Sequence, residues 1–178
     1  VEFRFRNGDA VELTAHEIKV KKLLEDVKAF LKSNPNQLDW QRTNIGNIGY
    51  RLVQKNQKQY VGEQVAQWKM AVKPRSRHID KRVTVTTPLQ KPGAYLLKAK
   101  MAGGNTSFII IWISDTSIVK KPLDGKSYYF VADAVSGKPV GKANLEFFGW
   151  RQQRVATRKY VVKTQHFAEF TDADGQLI

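Results

Sequence analysis

Hydrophobic residues make up 42% of the 178-residue chain, enough for a packed core and too many for a disordered polymer. Lys and Arg number 30 against 16 Asp and Glu, for a formal net charge of +14, which favours anionic partners: nucleic acid, lipid head groups or acidic polysaccharide. There is no cysteine, which excludes disulfides and cysteine-ligated metal, and no apolar run approaches the roughly 18 residues of a membrane-spanning helix.

Val1-Glu2-Phe3-Arg4-Phe5-Arg6 alternates and reads as a strand, closed by the turn signal Asn7-Gly8-Asp9. The period then changes. Val20, Leu23, Leu24, Val27 and Leu31 form one stripe of a helix. Thr14 and Glu17 have capping-box spacing, and Asn34-Pro35 supplies a stop. The helix is therefore predicted over about 15–32, with Lys19, Lys21, Lys22, Lys28 and Lys32 on a solvated face. From Leu38 to Gln64 the signal is mixed. Ala66, Trp68, Met70 and Val72 alternate as a strand, a basic loop runs from Lys73 to Arg82, and Val83–Thr86 is a further strand.

Pro92-Gly93 opens the best-patterned stretch of the chain. Tyr95, Leu97, Ala99 and Met101 share one face of a strand, with Leu96, Lys98 and Lys100 on the other. Gly103-Gly104-Asn105 tolerates positive φ and reverses the chain. Phe108–Ile113 is apolar on both faces; its length and three adjacent isoleucines favour a central strand over a buried helix. This hairpin belongs to an antiparallel sandwich, with Tyr95 placed as a tyrosine corner. Trp68, Trp112, Tyr95 and Phe130 are expected in cores, while Trp40 and Trp150 stay open. Beyond Ser117 come a turn at Pro122–Lys126, a strand at Tyr128–Asp133, a turn at Ser136–Val140 and a strand at Ala143–Trp150. A basic connection follows (Arg151, Arg154, Arg158, Lys159), then strands near 160–163 and 167–170.

The Gly-Ala-Tyr hairpin, the apolar strand and the step Ser114-Asp115 to Val119-Lys120 resemble bacterial alpha-2-macroglobulins. In that family the following domain reads Val-x-Asp-x-x-x-Gly-x-Pro-Val-x-x-Ala and later Thr-Asp-x-x-Gly. Here Val131, Asp133, Gly137, Pro139, Val140, Ala143 and then Thr171–Gly175 stand at those places. The resemblance covers about residues 66–178. It implies macroglobulin-like sandwiches of immunoglobulin or fibronectin-III type: one over 1–117, with a helical elaboration at about 14–64, and an incomplete second over 118–178. It also implies a protease-trapping parent in the periplasm or outside the cell, from which this chain, starting at Val1, reads as a piece. The expected partners are neighbouring domains of that parent and, through the whole protein, proteases.

No catalytic constellation is spelled out. His16, His78 and His166 lack ligand spacing, and neither a Gly-x-Ser-x-Gly elbow nor a phosphate loop occurs. Asp172-Ala173-Asp174-Gly175 spells part of a calcium loop without its remaining ligands. Val61-Gly62-Glu63-Gln64 imitates the family's Cys-Gly-Glu-Gln thioester run, but Val61 has no thiol. The chain is accordingly read as a non-enzyme without cofactor or metal. The alternative reading is a basic adhesion module for an anionic polymer. Its contacts would be Lys73, Arg75, Arg77, Lys81 and Arg82 in one loop, and Trp150, Arg151, Arg154, Arg158 and Lys159 in the later connection.

Overall fold

The computed structural model describes residues 1–157 and 159–178. In chain order its elements are β1 (Glu2–Phe5), β2 (Ala10–Ile18), α1 (Val20–Lys32), α2 (Trp40–Thr43), α3 (Ile48–Val53), β3 (Val61–Ala71), β4 (Lys81–Thr84), β5 (Gly93–Met101) and β6 (Thr106–Ile113). Then follow β7 (Thr116–Leu123), β8 (Lys126–Asp133), β9 (Asn144–Ala156), β10 (Lys159–Phe170) and β11 (Gln176–Leu177). They divide into two compact units, Val1–Leu23 with Asn44–Ile113, and Leu24–Thr43 with Ser114–Ile178. The expected class, antiparallel sandwiches with a helical portion near the N-terminus, is the one observed.

The first unit is built on a four-stranded antiparallel sheet of order β3-β2-β5-β6. Period-two alternation places Val11, Leu13 and Ala15 beside Leu97, Ala99 and Met101 on one face. These residues are buried with Phe5, Val72 and Val85, and the β1–β4 ribbon covers them through Phe3, Phe5 and Val83. Truncating a side chain as enclosed as Leu13, 1% exposed, costs about 2–5 kcal/mol. The opposite face meets α3, whose Ile48 and Leu52 are buried. The hairpin β5–β6 pairs from Gly93↔Ile113 to Lys100↔Thr106, and the Tyr95 hydroxyl donates to the Lys91 carbonyl at 2.8 Å, the corner expected from the sequence.

Three expectations are corrected in this unit. The helix begins at Val20, not near 15, because residues 10–18 alternate as a central strand between β3 and β5. Thr14 and Glu17 therefore sit in a ladder and cap nothing. The run Phe108–Ile113 is an edge strand, apolar on both sides because one face meets the core and the other meets α3. At that edge Trp112 is 59% exposed, so it is not a core residue.

The second unit stacks a three-stranded sheet, β11-β8-β7, on the two-stranded ribbon β10-β9. Asp124-Gly125 closes the β7–β8 hairpin, with Gly125 at φ 67°. Tyr129 of β8 meets Phe147 edge-on at 5.1 Å, and Phe147 stacks on Phe167 at 4.9 Å. Val131, Leu145 and Val162 are buried. On the other side of the ribbon lies the remainder of α1. The helix ends as predicted at Lys32, and Asn34 takes φ 52° before Pro35. Asn34 Oδ1 then accepts from the Val162 N–H at 2.7 Å. Lys28 and Lys32 each stand 5.9 Å from the centre of the Phe148 ring, and Lys28 reaches Glu146 at 3.4 Å. Those two lysines therefore cover an aromatic ring instead of lying on a purely solvated face.

The basic connection expected after Trp150 is also corrected. Arg151 and Arg154 are inside β9, and Lys159 opens β10; the two strands expected near 160–163 and 167–170 are one. The polar residues Gln152 and Gln153 masked the continuation, since a two-stranded ribbon beyond its packed end requires no apolar alternation.

Candidate functional site

In the first unit, the stretch from Lys73 to Arg82 carries its cations outward: Lys73, Arg75, Arg77 and Arg82 are exposed and Lys81 is half-buried. Arg77 and His78 both take left-handed φ, 61° and 56°. His78 Nδ1 lies 2.8 Å from Asn7 Oδ1, which ties this turn to the one between β1 and β2. Part of the positive charge around this stretch is answered locally. Asp80 receives hydrogen bonds from Arg4 and, at 2.9 Å, from Arg6. Those bonds, Arg6 first, hold the Asp80 carboxyl below the usual carboxylate range and raise the Arg6 guanidinium. Lys81 Nζ donates to the Lys73 carbonyl at 2.8 Å, and Arg82 faces Glu2 at 3.8 Å. A cavity of about 680 Å³ opens beside this cluster, between β1 and the β5–β6 turn.

The second set of candidate residues lies in the other unit. Trp150 is half-buried and its ring meets Trp40 at 5.9 Å. Arg151, Arg154 and Lys159 are exposed, while Arg158 lies outside the described residues. Register separates them: Arg151 projects from one face of the ribbon with its cross-strand neighbour Lys163, and Arg154, paired with Tyr160, projects from the other. Lys163 was missed in the sequence. It faces Arg151 only because the register shifts by one between Lys159 and Tyr160, and no Gly, Asn or Pro between the two strands announces that shift.

The two family-like motifs form a latch inside the second unit. Asp133 Oδ1 accepts from the N–H groups of Val135 and Ser136 and from the Ser136 hydroxyl, at 3.1, 2.7 and 2.7 Å. These bonds, the Ser136 N–H first, hold its carboxyl below the usual range. Gly137 takes φ 70° in the same turn. Thr171, only 3% exposed, accepts from the Ala143 N–H and donates to the Val140 carbonyl, both at 2.9 Å. Asp172 Oδ1 accepts from the N–H groups of Asp174 and Gln176 at 3.0 and 2.8 Å. Both motifs thus spend their polar atoms on their own backbone. Asp172 closes its own turn with its carboxylate, and Asp174 contributes its backbone N–H.

His16 pairs within the sheet, and His166 stands 3.8 Å from Glu146. Among the described residues no three His, Asp or Glu side chains come together as a metal site. Val61-Gly62-Glu63-Gln64 forms the start of β3, opposite the bulged end of β2.

The chain matches no protein-family model and no curated protein. Solved structures do match. One is native alpha-2-macroglobulin from Escherichia coli spanning domains NIE-MG1, with a TM-score of 0.56 and 14% identity over 99% of this chain and 76% of that one. Another spans domains MG0-NIE-MG1 of the same protein, with a TM-score of 0.51 and 13% identity over 98% of this chain and 52% of that one. In fold, the chain is similar to these bacterial alpha-2-macroglobulin domains along nearly its whole length.

Proposed function

We propose that the chain is a non-catalytic scaffold portion of an alpha-2-macroglobulin-like, protease-trapping protein of the bacterial envelope, periplasmic or extracellular. Residues 1–117 and 118–178 are assigned as its two macroglobulin-like portions, and neighbouring domains of the parent are its partners. The observation that carries the reading is the likeness to consecutive alpha-2-macroglobulin domains over 99% of the chain. The latch formed by Thr171, Asp172 and Asp133 supports it, since polar residues that resemble a motif are committed to holding strands in place. The anionic-polymer reading has less support in the first unit, where Asp80 and Glu2 already answer Arg4, Arg6 and Arg82.

The test is a trapping assay on the parent protein. Incubation with an endoprotease should suppress cleavage of a large protein substrate while leaving a small chromogenic peptide accessible. The 178-residue chain alone should do neither. Inhibition or hydrolysis by the isolated chain would overturn the scaffold reading.

A further inference from the structure

We infer that the β9–β10 ribbon carries a docking strip for an extended acidic segment of a partner protein. The segment would present one apolar side chain and, four residues away, one carboxylate. The inference stands independently of the scaffold reading.

Register places Phe147, Gly149 and Arg151 of β9 on the same ribbon face as Phe167, Gln165 and Lys163 of β10. At one end of this face Phe167, 46% exposed, joins Leu123, Tyr129 and Phe147 around a cavity of about 690 Å³. Further along, Arg151, Gln153, Lys163 and Gln165 surround a second cavity of about 520 Å³. Its floor is bare at Gly149, where an added Cβ would meet nothing within 4 Å. Phe167 and Lys163 are four residues apart in one strand, about 13 Å.

The cationic end lacks a counter-charge. Arg151 and Lys163 are directly opposed, and like charges in that position repel. Among the described residues, neither has a carboxylate within ion-pair distance. The ribbon's own acids are misplaced for it. Glu146 projects from the other face towards Lys28, and Glu169 is six residues from Lys163, about 20 Å away along the strand. A guanidinium fork and an ammonium facing one another are a receptor for a carboxylate brought from outside.

The rest of the face selects a polypeptide. A base or sugar ring would need a free aromatic platform beside the cations; Trp150 also lines the cationic cavity, but its ring is already taken by Trp40 at 5.9 Å. Among the described residues the outer edge of β9 pairs with no other strand, so an extended chain can add there through its main chain. Alternate side chains of a strand added there project from the same face as Phe147 and Arg151, which sets an apolar residue beside Phe147 and, four residues on, an acid beside Arg151.

The experiment is fluorescence anisotropy on the whole chain at about 0.15 M salt. One labelled nine-residue peptide carries Leu at its third position and Glu at its seventh among Ser and Thr; a second has the Glu moved to the sixth. The first should bind, and moving the Glu, Arg151→Gln or Lys163→Gln should each weaken binding about tenfold, the scale of one charge-assisted contact. Phe167→Ala should also weaken it, and Arg154→Gln, on the opposite face, should leave it unchanged. Equal binding of the two peptides, equal loss with Arg154→Gln, or no binding of either peptide overturns the inference. So does heparin bound through Arg151 and Lys163 in place of the peptide. Circular dichroism confirms that each variant is folded.

Discussion

Thr171 is a buried hydroxyl with both of its roles filled, donor to Val140 and acceptor from Ala143. Thr171→Val keeps the shape and strands both partners, so it should lower stability by about 1–3 kcal/mol, while Thr171→Ser should restore most of it; urea unfolding midpoints decide. Gly175, at φ 72°, has the Val131 carbonyl oxygen 2.5 Å from where a Cβ would stand. Gly175→Ala should therefore cost about 1–3 kcal/mol by the same measurement, from backbone strain alone, with the clash added. Asp133 is held as a carboxylate by its turn. Its folded pKa lies below the unfolded value near ~3.9, so its stabilisation is complete above that value and is lost as pH falls through the folded one. Asp133→Asn should flatten the drop in unfolding midpoint below about pH 4; an unchanged slope would show that this carboxylate contributes nothing. The turn of Asp133 was of a kind the sequence can show, because its carboxylate acts on N–H groups two and three residues on; the partners of Thr171, 28 and 31 residues away, were not.

Elements were legible where period and punctuation agreed. The hairpin β5–β6 had alternation, a Gly-Gly-Asn turn and a tyrosine corner, and all three appear. The start of α1 was misread because Thr14 and Glu17 satisfied a local helix signature while Val11, Leu13 and Ala15 satisfied a strand one. Pairing with β3 and β5 decided between them, and neither neighbour is close in sequence. The site in the second unit was half legible. Arg151 was singled out, but Lys163 becomes its partner only through a register that no turn residue announces. The exposed edge β6 leads to a prediction of its own. Phe108 is 44% exposed on an apolar strand whose outer edge has no partner among the described residues, a template for pairing with another chain. Phe108→Lys should slow aggregation on heating, read by light scattering, and change stability by less than about 0.5 kcal/mol.

At the scale of the molecule, the second unit is assembled from two separated stretches, Leu24–Thr43 and Ser114–Ile178. Within it the early stretch covers Phe148 and caps the Val162 N–H through Asn34. A fragment of residues 114–178 should therefore give poorly dispersed amide NMR signals, and fusing residues 24–43 to it should restore dispersion. Equal spectra would mean that the ribbon stands without its helix. The discontinuity also has a consequence for synthesis. The early stretch leaves the ribosome about a hundred residues before the β9–β10 ribbon that receives it begins to emerge, a wait of about five to twenty seconds at ordinary translation rates. Throughout that wait Leu31 and Leu38 have no fold to enter, so a nascent-chain chaperone that favours apolar helices would find its binding site there first.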